Sequence, residues 1–181
     1  QVLSAFVHAD KSSGYYQMDP VENAAAELKP LIVLDENVSG LRKARDADEV
    51  MFTRQTFDRY PDLWVRDMNF KKLKRISRAN PQQDNYVWGT SELVKWNAKD
   101  GQELEGLLYK PENFDPQKKY PLMVYFYERN SDNLHRYYTP AAGRSIINFS
   151  FYVSRGYVIF VPDIPYKVGE PGPSAANAIL P

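Results

Sequence analysis

The stretch Tyr120-Pro-Leu-Met-Val-Tyr-Phe-Tyr127 decides the fold class of the second half of the sequence. It is a continuous apolar run of strand length, and such runs are typical of strands that are buried on both faces of a sheet. A second apolar run, residues 157–161, follows and ends at Pro162-Asp163. The two runs predict two buried strands.

The segment between these strands has the pattern of a helix. Residues 145–155 place three apolar side chains on one helical face, those of Ile146, Phe149 and Val153. Ser145 is a candidate N-cap, and Gly156 stands where a helix should stop. Strand, helix and strand together predict a right-handed crossover, the building unit of an α/β sheet.

A hairpin is predicted upstream of the crossover. Residues 92–97 and 102–110 are strand-like runs. Asp100-Gly101, which lies between them, supplies the positive φ that a tight turn needs. Hairpin, strand, helix and strand together indicate the opening of an α/β domain.

The first part of the sequence has a different pattern, in which short strand-like runs alternate with turns, as in an all-β unit. These runs are Val2–Val7, Tyr15–Met18, Leu31–Leu34, Val50–Gln55, Leu63–Met68 and Leu73–Ile76, of which the last two predict a hairpin. Asp19-Pro20-Val-Glu22 is a helix-start signature and predicts one or two helical turns. The polar segment 78–91 is the predicted linker to the α/β part.

The composition excludes several classes of function. Lys and Arg number 23 and Asp and Glu also number 23, so the net charge is zero and the basic excess of nucleic-acid-binding proteins is missing. The longest apolar run, residues 121–127, is too short to span a membrane. There is no cysteine and no metal or dinucleotide motif. We therefore predict a soluble protein with no nucleic-acid or membrane partner, no metal and no cofactor, in a cytoplasmic, periplasmic or secreted location.

No complete catalytic motif is present. Ser145 and Ser174 each have half of the small-residue turn that a serine nucleophile needs. A triad would have to take its base from His8 or His135, for which a surface or loop-stabilising role is the simpler interpretation. The acidic cluster 46–49 and the basic run 71–75 are interpreted as solvated surface.

Several segments resemble the prolyl oligopeptidase family of serine peptidases, which includes the dipeptidyl- and acylaminoacyl-peptidases. The run W-x3-D-G-x2-L-E-G-L-L-Y-x-P-x2-F-x-P-x-K-K-Y-P, from Trp96 to Pro121, is similar to the start of that family's catalytic domain. The other segments that carry the resemblance are the strand 120–127, Arg155–Asp163, the following Asp163–Ser174, and Leu63–Asp67, which resembles a propeller-blade hairpin.

The resemblance implies a mixed fold. Residues 1–88 would be the C-terminal part of a β-propeller, and residues 89–181 would be the first strands and helix of an α/β-hydrolase domain. The serine, acid and histidine of the family's triad would all follow Pro181. We therefore expect an internal fragment, inactive alone, of a serine peptidase that hydrolyses short peptides through an acyl-enzyme.

One site residue of the family falls inside the sequence. A tyrosine that closes the third hydrolase strand helps to form the oxyanion hole, and Tyr127 matches it. The family usually continues with small residues, whereas Glu128-Arg129 follow here. The departure leaves the shape of the oxyanion pocket and the substrate preference open.

The implied partners are a peptide substrate and the remainder of the catalytic domain. Homo-oligomerisation and the choice between exo- and endopeptidase action stay open. The residues alone also allow a second interpretation, a non-catalytic β-rich binding or scaffold module.

Overall fold

The computed structural model describes residues 1–19, 27–141 and 147–181. The chain divides into two compact units: the first unit is Gln1–Gln83 with His135–Tyr137, and the second unit is Asp84–Leu134 with Tyr138–Pro181. A 3-10 turn at Pro81–Asn85 spans the change from one to the other, within the polar segment 78–91.

The first unit is built of antiparallel strands. Its strands are β1 Val2–Phe6, β2 Ser13–Asp19, β3 Glu27–Leu34, β4 Asn37–Lys43, β5 Glu49–Thr56, β6 Arg59–Asp67 and β7 Lys74–Arg75. They form a three-stranded sheet, β1-β2-β3, and a four-stranded sheet, β4-β5-β6-β7, each in chain order. The predicted hairpin of the last two strands is confirmed, since Trp64 pairs with Arg75 and Val65 with Lys74.

The two sheets of the first unit share one core. Its buried side chains are Tyr15, Ile32, Val38, Val50, Phe52 and Phe70. The rings of Tyr15 and Phe52 meet edge to face with 6.3 Å between centroids, and the Tyr15 hydroxyl accepts a hydrogen bond of 3.0 Å from the Leu41 amide. A tyrosine of β2 therefore joins the sheets through both its ring and its hydroxyl.

The second unit contains the α/β part. Its strands are β8 Thr90–Asn97, β9 Glu103–Lys110, β10 Leu122–Val124 and β11 Val158–Pro162, and its described helices are α1 Phe149–Val153 and α2 Pro171–Ile179. The sheet order is β10-β11-β9-β8. β10 and β11 run parallel, while β9 is antiparallel to both of its neighbours.

Helices cover both faces of this sheet. Tyr109 of β9 stacks on Phe149 of α1 at 4.8 Å, whereas Leu104 of the same strand lies in a cluster with Ala178 of α2. Five positions separate the two β9 residues, so alternation puts them on opposite faces. The Trp96 indole also donates to the Ala178 carbonyl at 2.8 Å, which ties α2 to β8.

The predicted hairpin 92–110 is confirmed. β8 and β9 pair antiparallel from Thr90 with Lys110 to Asn97 with Glu103. Gly101 has a φ of +87°, the conformation for which glycine is favoured in this turn.

The prediction of a long strand at 120–127, buried on both faces, is wrong. The strand is limited to β10, and Leu122 and Val124 are 58% and 38% exposed. Among the described residues β10 is hydrogen-bonded to β11 alone, at the edge of the sheet. An apolar run therefore predicts a strand here but does not determine which of its side chains are covered.

The predicted helix 145–155 is shorter in the structure. α1 begins at Phe149, with the Asn148 side chain accepting from the Phe151 amide at 2.9 Å as its N-cap. The predicted cap, Ser145, lies outside the described residues. Gly156 has a φ of +85° and ends the helical segment as predicted.

Two elements were not predicted, and one prediction is outside the described part. β4 escapes the strand pattern because Ser39, Gly40, Arg42 and Lys43 interrupt its apolar residues. α2 begins with Pro171 at its first position, a helix-start signal that lies outside the apolar pattern. Of the segment 19–27, where one or two helical turns are predicted, only Asp19 and Glu27 are described, and they end β2 and begin β3.

Gly106 allows β9 and β11 to approach closely, and its replacement by Ala is expected to destabilise the second unit by about 2 kcal/mol. A Cβ atom there would lie 2.7 Å from the Val161 carbonyl oxygen and 2.8 Å from Pro162 Cα. Both neighbours are backbone atoms, so relief requires the strands to separate. Urea unfolding measures the change.

Gly172→Ala is the matched control for this substitution. A Cβ at Gly172, in α2, meets no atom within 4 Å apart from its chain neighbours, so the added restriction comes only from Pro173, which follows it. We expect a loss of stability clearly smaller than that of Gly106→Ala. Equal losses for the two variants would contradict the steric explanation.

Candidate functional site at the carboxyl ends of β10 and β11

Tyr127 lies in a bend just after β10, and not in the strand as predicted. Its side chain is 71% exposed. Among the described residues none forms a hydrogen bond with its hydroxyl, so the ring and the hydroxyl are both accessible. The carboxyl ends of parallel strands are where open α/β sheets bind their ligands.

The backbone on either side of Tyr127 is fixed to β11 and its continuation. The Tyr125 amide donates to the Phe160 carbonyl at 3.0 Å. The Ile164 amide donates to the Glu128 carbonyl at 3.1 Å. Tyr127 is therefore held between two backbone hydrogen bonds, although the residue itself is largely exposed.

The segment after Tyr127 is attached to one carboxylate, that of Asp163. Asp163 Oδ1 accepts hydrogen bonds from the amides of Asn130 at 2.6 Å and Ser131 at 2.9 Å. Asp163 Oδ2 accepts from the Ser131 hydroxyl at 2.5 Å. Hydrogen bonds to an ionised acceptor are stronger than neutral ones, so this carboxylate is a firm anchor for the loop.

Ser131 connects this anchor to β9. Its side chain is fully buried, and its hydroxyl also lies 3.0 Å from Glu105 Oε1. The Asp163 amide donates to the Glu105 carbonyl at 3.0 Å. Ser131 thus lies between two carboxylates that the pairing of β9 and β11 brings together.

The cluster of Asp163, Ser131 and Glu105 was not predicted from the sequence. Asp163 and Ser131 are 32 residues apart, and no local pattern joins them. The available signal was the position of Asp163 directly after an apolar strand, because polar residues at that place lie at the ligand-binding edge of a parallel sheet.

Of the two candidate serines the structure describes only Ser174, whose contacts are structural. Ser174 lies in α2, is buried, and its hydroxyl accepts from the Lys167 amide at 3.0 Å. This hydrogen bond fixes the loop before α2 and gives Ser174 a structural role. Ser145 lies outside the described residues.

The two candidate histidines belong to the first unit. The ring of His8 contacts Phe6 edge to face at 5.1 Å. His135 Nε2 lies 3.1 Å from Asp35 Oδ1 without hydrogen-bond geometry, and its side chain is 12% exposed. His135 therefore has an acidic neighbour, and no contact with a candidate nucleophile is seen among the described residues.

The charged runs have local partners. In the acidic cluster, Asp46 pairs with Arg45 at 3.1 Å and Asp48 with Lys43 at 3.9 Å. In the basic run, Arg75 pairs with the buried carboxylate of Asp62. Within residues 1–19, 27–141 and 147–181, no group of three His, Asp or Glu side chains could hold a metal ion. Neither of the described helices has the length and apolarity of a membrane span.

Comparison with known proteins gives matches in structure only. No protein-family model matches the sequence, and no curated protein is significantly similar to it. Among solved structures, acylaminoacyl peptidase from Pyrococcus horikoshii matches with 14% identity and a TM-score of 0.58. Dipeptidyl peptidase 4 from Porphyromonas gingivalis matches with 18% identity and a TM-score of 0.61. Oligopeptidase B from Trypanosoma brucei matches with 17% identity and a TM-score of 0.57.

These three enzymes are peptidases of the prolyl oligopeptidase family. The chain has the fold of a segment of these peptidases. The matches cover 86%, 90% and 90% of this chain but only 22%, 22% and 23% of theirs. The resemblance found in the sequence is thus confirmed at the level of fold, and this chain spans less than a quarter of each of the three peptidases.

Proposed function

We propose that this chain is a segment of a serine peptidase that hydrolyses short peptides. The first unit would be the end of a β-propeller and the second unit the first part of an α/β-hydrolase domain. The observation that carries the proposal is the fold match to three peptidases. The match covers 86–90% of this chain but only 22–23% of the length of each peptidase.

The topology of each unit supports this assignment. The sheet β4-β5-β6-β7 is a four-stranded antiparallel meander, the form of a propeller blade. The sheet of the second unit combines an antiparallel hairpin with a parallel strand pair and has helices on both faces. Such a sheet is the beginning of an α/β domain.

The edge strand β10 is where the remainder of the catalytic domain would continue the sheet. It pairs with β11 on one side, and its exposed side chains include Leu122 and Val124. An exposed apolar edge is unfavourable in water and is covered in stable proteins. In the proposed parent a further strand would lie against it.

Within this proposal Tyr127 supplies an oxyanion-hole donor. Its exposed hydroxyl at the end of a strand can point at a substrate carbonyl, because no described residue engages it. A serine from the remainder of the domain would attack that carbonyl. The tyrosine would then stabilise the negative charge on the tetrahedral oxygen.

A fluorophosphonate probe tests the proposal, because it reacts only with an activated serine. The full-length parent should be labelled stoichiometrically at a serine beyond Pro181, and residues 1–181 alone should remain unlabelled. Mass spectrometry locates the adduct. Labelling of Ser145 or Ser174 in this chain, or a folded parent that takes up no probe, would refute the proposal.

A further inference from the structure

We propose that Asp163 is a positioning residue that holds Tyr127 in place for catalysis. The inference rests on the proposed function, in which the Tyr127 hydroxyl binds the oxyanion. It goes beyond that function by naming the group that fixes the tyrosine. Asp163 directly follows β11, Tyr127 follows the neighbouring strand β10, and Asp163 would act without touching the substrate.

The need for an anchor follows from the surroundings of Tyr127. Its side chain is 71% exposed, so packing does not fix the ring. Glu128 and Arg129, the next two residues, are exposed as well. The position of the hydroxyl must therefore be set by the backbone of the loop.

Beyond the two backbone hydrogen bonds beside Tyr127, the backbone of this loop is held by the Asp163 side chain. Its carboxylate accepts three hydrogen bonds from Asn130 and Ser131, at 2.5 to 2.9 Å. The residue after it, Ile164, fixes Glu128 through the 3.1 Å backbone bond. The loop residues that make these contacts all lie within four positions of Tyr127 in sequence, and none of the contacts involves the Tyr127 side chain.

The Ser131 hydroxyl is a second, separable part of the anchor. A hydroxyl has one proton and donates it to one acceptor at a time, and the shorter contact is to Asp163. Ser131→Ala would remove this bond and leave both amide bonds to Asp163 Oδ1. The variant therefore loosens the loop less than removal of the carboxylate.

A double-mutant cycle in the full-length protein tests the inference. Asp163→Ala should lower kcat by about tenfold or more, since small displacements of a catalytic group are costly, with KM nearly unchanged. In a Tyr127→Phe background the same substitution should change kcat by less than about twofold, because coupled residues are non-additive. Ser131→Ala should lower kcat by less than Asp163→Ala does. This loss of kcat should also disappear in the Tyr127→Phe background.

Asp115→Ala is the matched control, because Asp115 also accepts a loop amide in the second unit, that of Gln117 at 3.0 Å. It should leave kcat unchanged in both backgrounds. If Asp163→Ala does not fold, the comparison is made with Ser131→Ala.

The outcomes separate this inference from the proposed function. If Asp163→Ala lowered kcat equally in the wild-type and Tyr127→Phe backgrounds, the inference would be overturned. The proposed function would still stand, because Tyr127→Phe alone would still have a low kcat. A normal kcat for Tyr127→Phe alone would instead refute the oxyanion role itself, and the positioning role with it.

Discussion

Tyr127→Phe in the full-length protein is expected to lower kcat by about 10²–10³, as is typical for the loss of one oxyanion-hole donor. The change removes one oxygen and keeps the ring. A donor that acts on the tetrahedral oxygen stabilises the transition state more than the bound substrate, so KM should change little. Steady-state kinetics on a chromogenic peptide ester or amide measures both constants.

The exposure of Tyr127 makes this test unusually clear. A tyrosine that merely completed a core would be buried, and its truncation would lower the melting temperature. Tyr127 is 71% exposed, and none of the described residues bonds to its hydroxyl. The melting temperature of Tyr127→Phe should therefore equal that of the wild type.

Tyr125→Phe provides the matched control. Tyr125 is two residues earlier in the same chain segment, and its ring contacts Phe149 edge to face at 5.7 Å. Phenylalanine preserves this ring contact, so kcat should stay near the wild-type value. If Tyr127→Phe also stayed within about threefold of wild type, the effect expected of an oxyanion donor would be absent and Tyr127 would have no such role.

The parts of the fold that were predicted from the sequence depend on local chemistry. The β8–β9 hairpin follows from Asp100-Gly101, since Gly101 adopts the positive φ that this turn requires. The end of the helical segment at Gly156 follows from the same property. Such signals act over a few residues and can be seen without knowledge of the rest of the chain.

The parts that were missed depend on distant residues. Burial of the 120–127 run depends on which strands flank it, and the run itself contains no information on its neighbours. The attachment of Ser131 to Asp163 joins two loops through the parallel pairing of β10 and β11. Tyr127 could be proposed from the family resemblance of its segment, whereas the residue that anchors its loop is identified only by the structure.

Glu36→Gln is expected to reduce the free energy of unfolding of the first unit by about 3 kcal/mol, at the lower end of the range for breaking a buried ion pair. Arg54 donates to both carboxylate oxygens of Glu36 at 2.7 Å, and Arg59 donates to Oε1 at 2.9 Å. The side chains of Glu36 and Arg54 are only 10% and 14% exposed.

The neutral amide would leave the largely buried side chain of Arg54 without its counter-charge. Arg54 also lies 4.2 Å above the Trp64 ring, which limits its freedom to turn towards water. Glu49→Gln is the matched control, because Glu49 is an exposed glutamate of β5 in the same unit. It should change stability by less than about 0.5 kcal/mol.

The same ion pair predicts a dependence of stability on pH. Burial raises the pKa of Glu36, but hydrogen bonds and charges from Arg54 and Arg59 outweigh it, so the pKa in the folded state is below the ordinary value of 4.5. The unfolded chain therefore binds the proton more readily. The stabilising contribution is complete above the ordinary pKa and is lost as the pH falls through the lowered one.

Amide hydrogen exchange of β5 during urea titration would measure this dependence for the first unit alone. The wild-type protein should lose stability on acidification below about pH 4.5 more steeply than Glu36→Gln. The difference between the two proteins should shrink as the carboxylate is protonated, because a protonated Glu36 and a glutamine are both neutral. A difference that stayed constant from neutral to acidic pH would mean that shape at this position, and not the charge of Glu36, stabilises the unit.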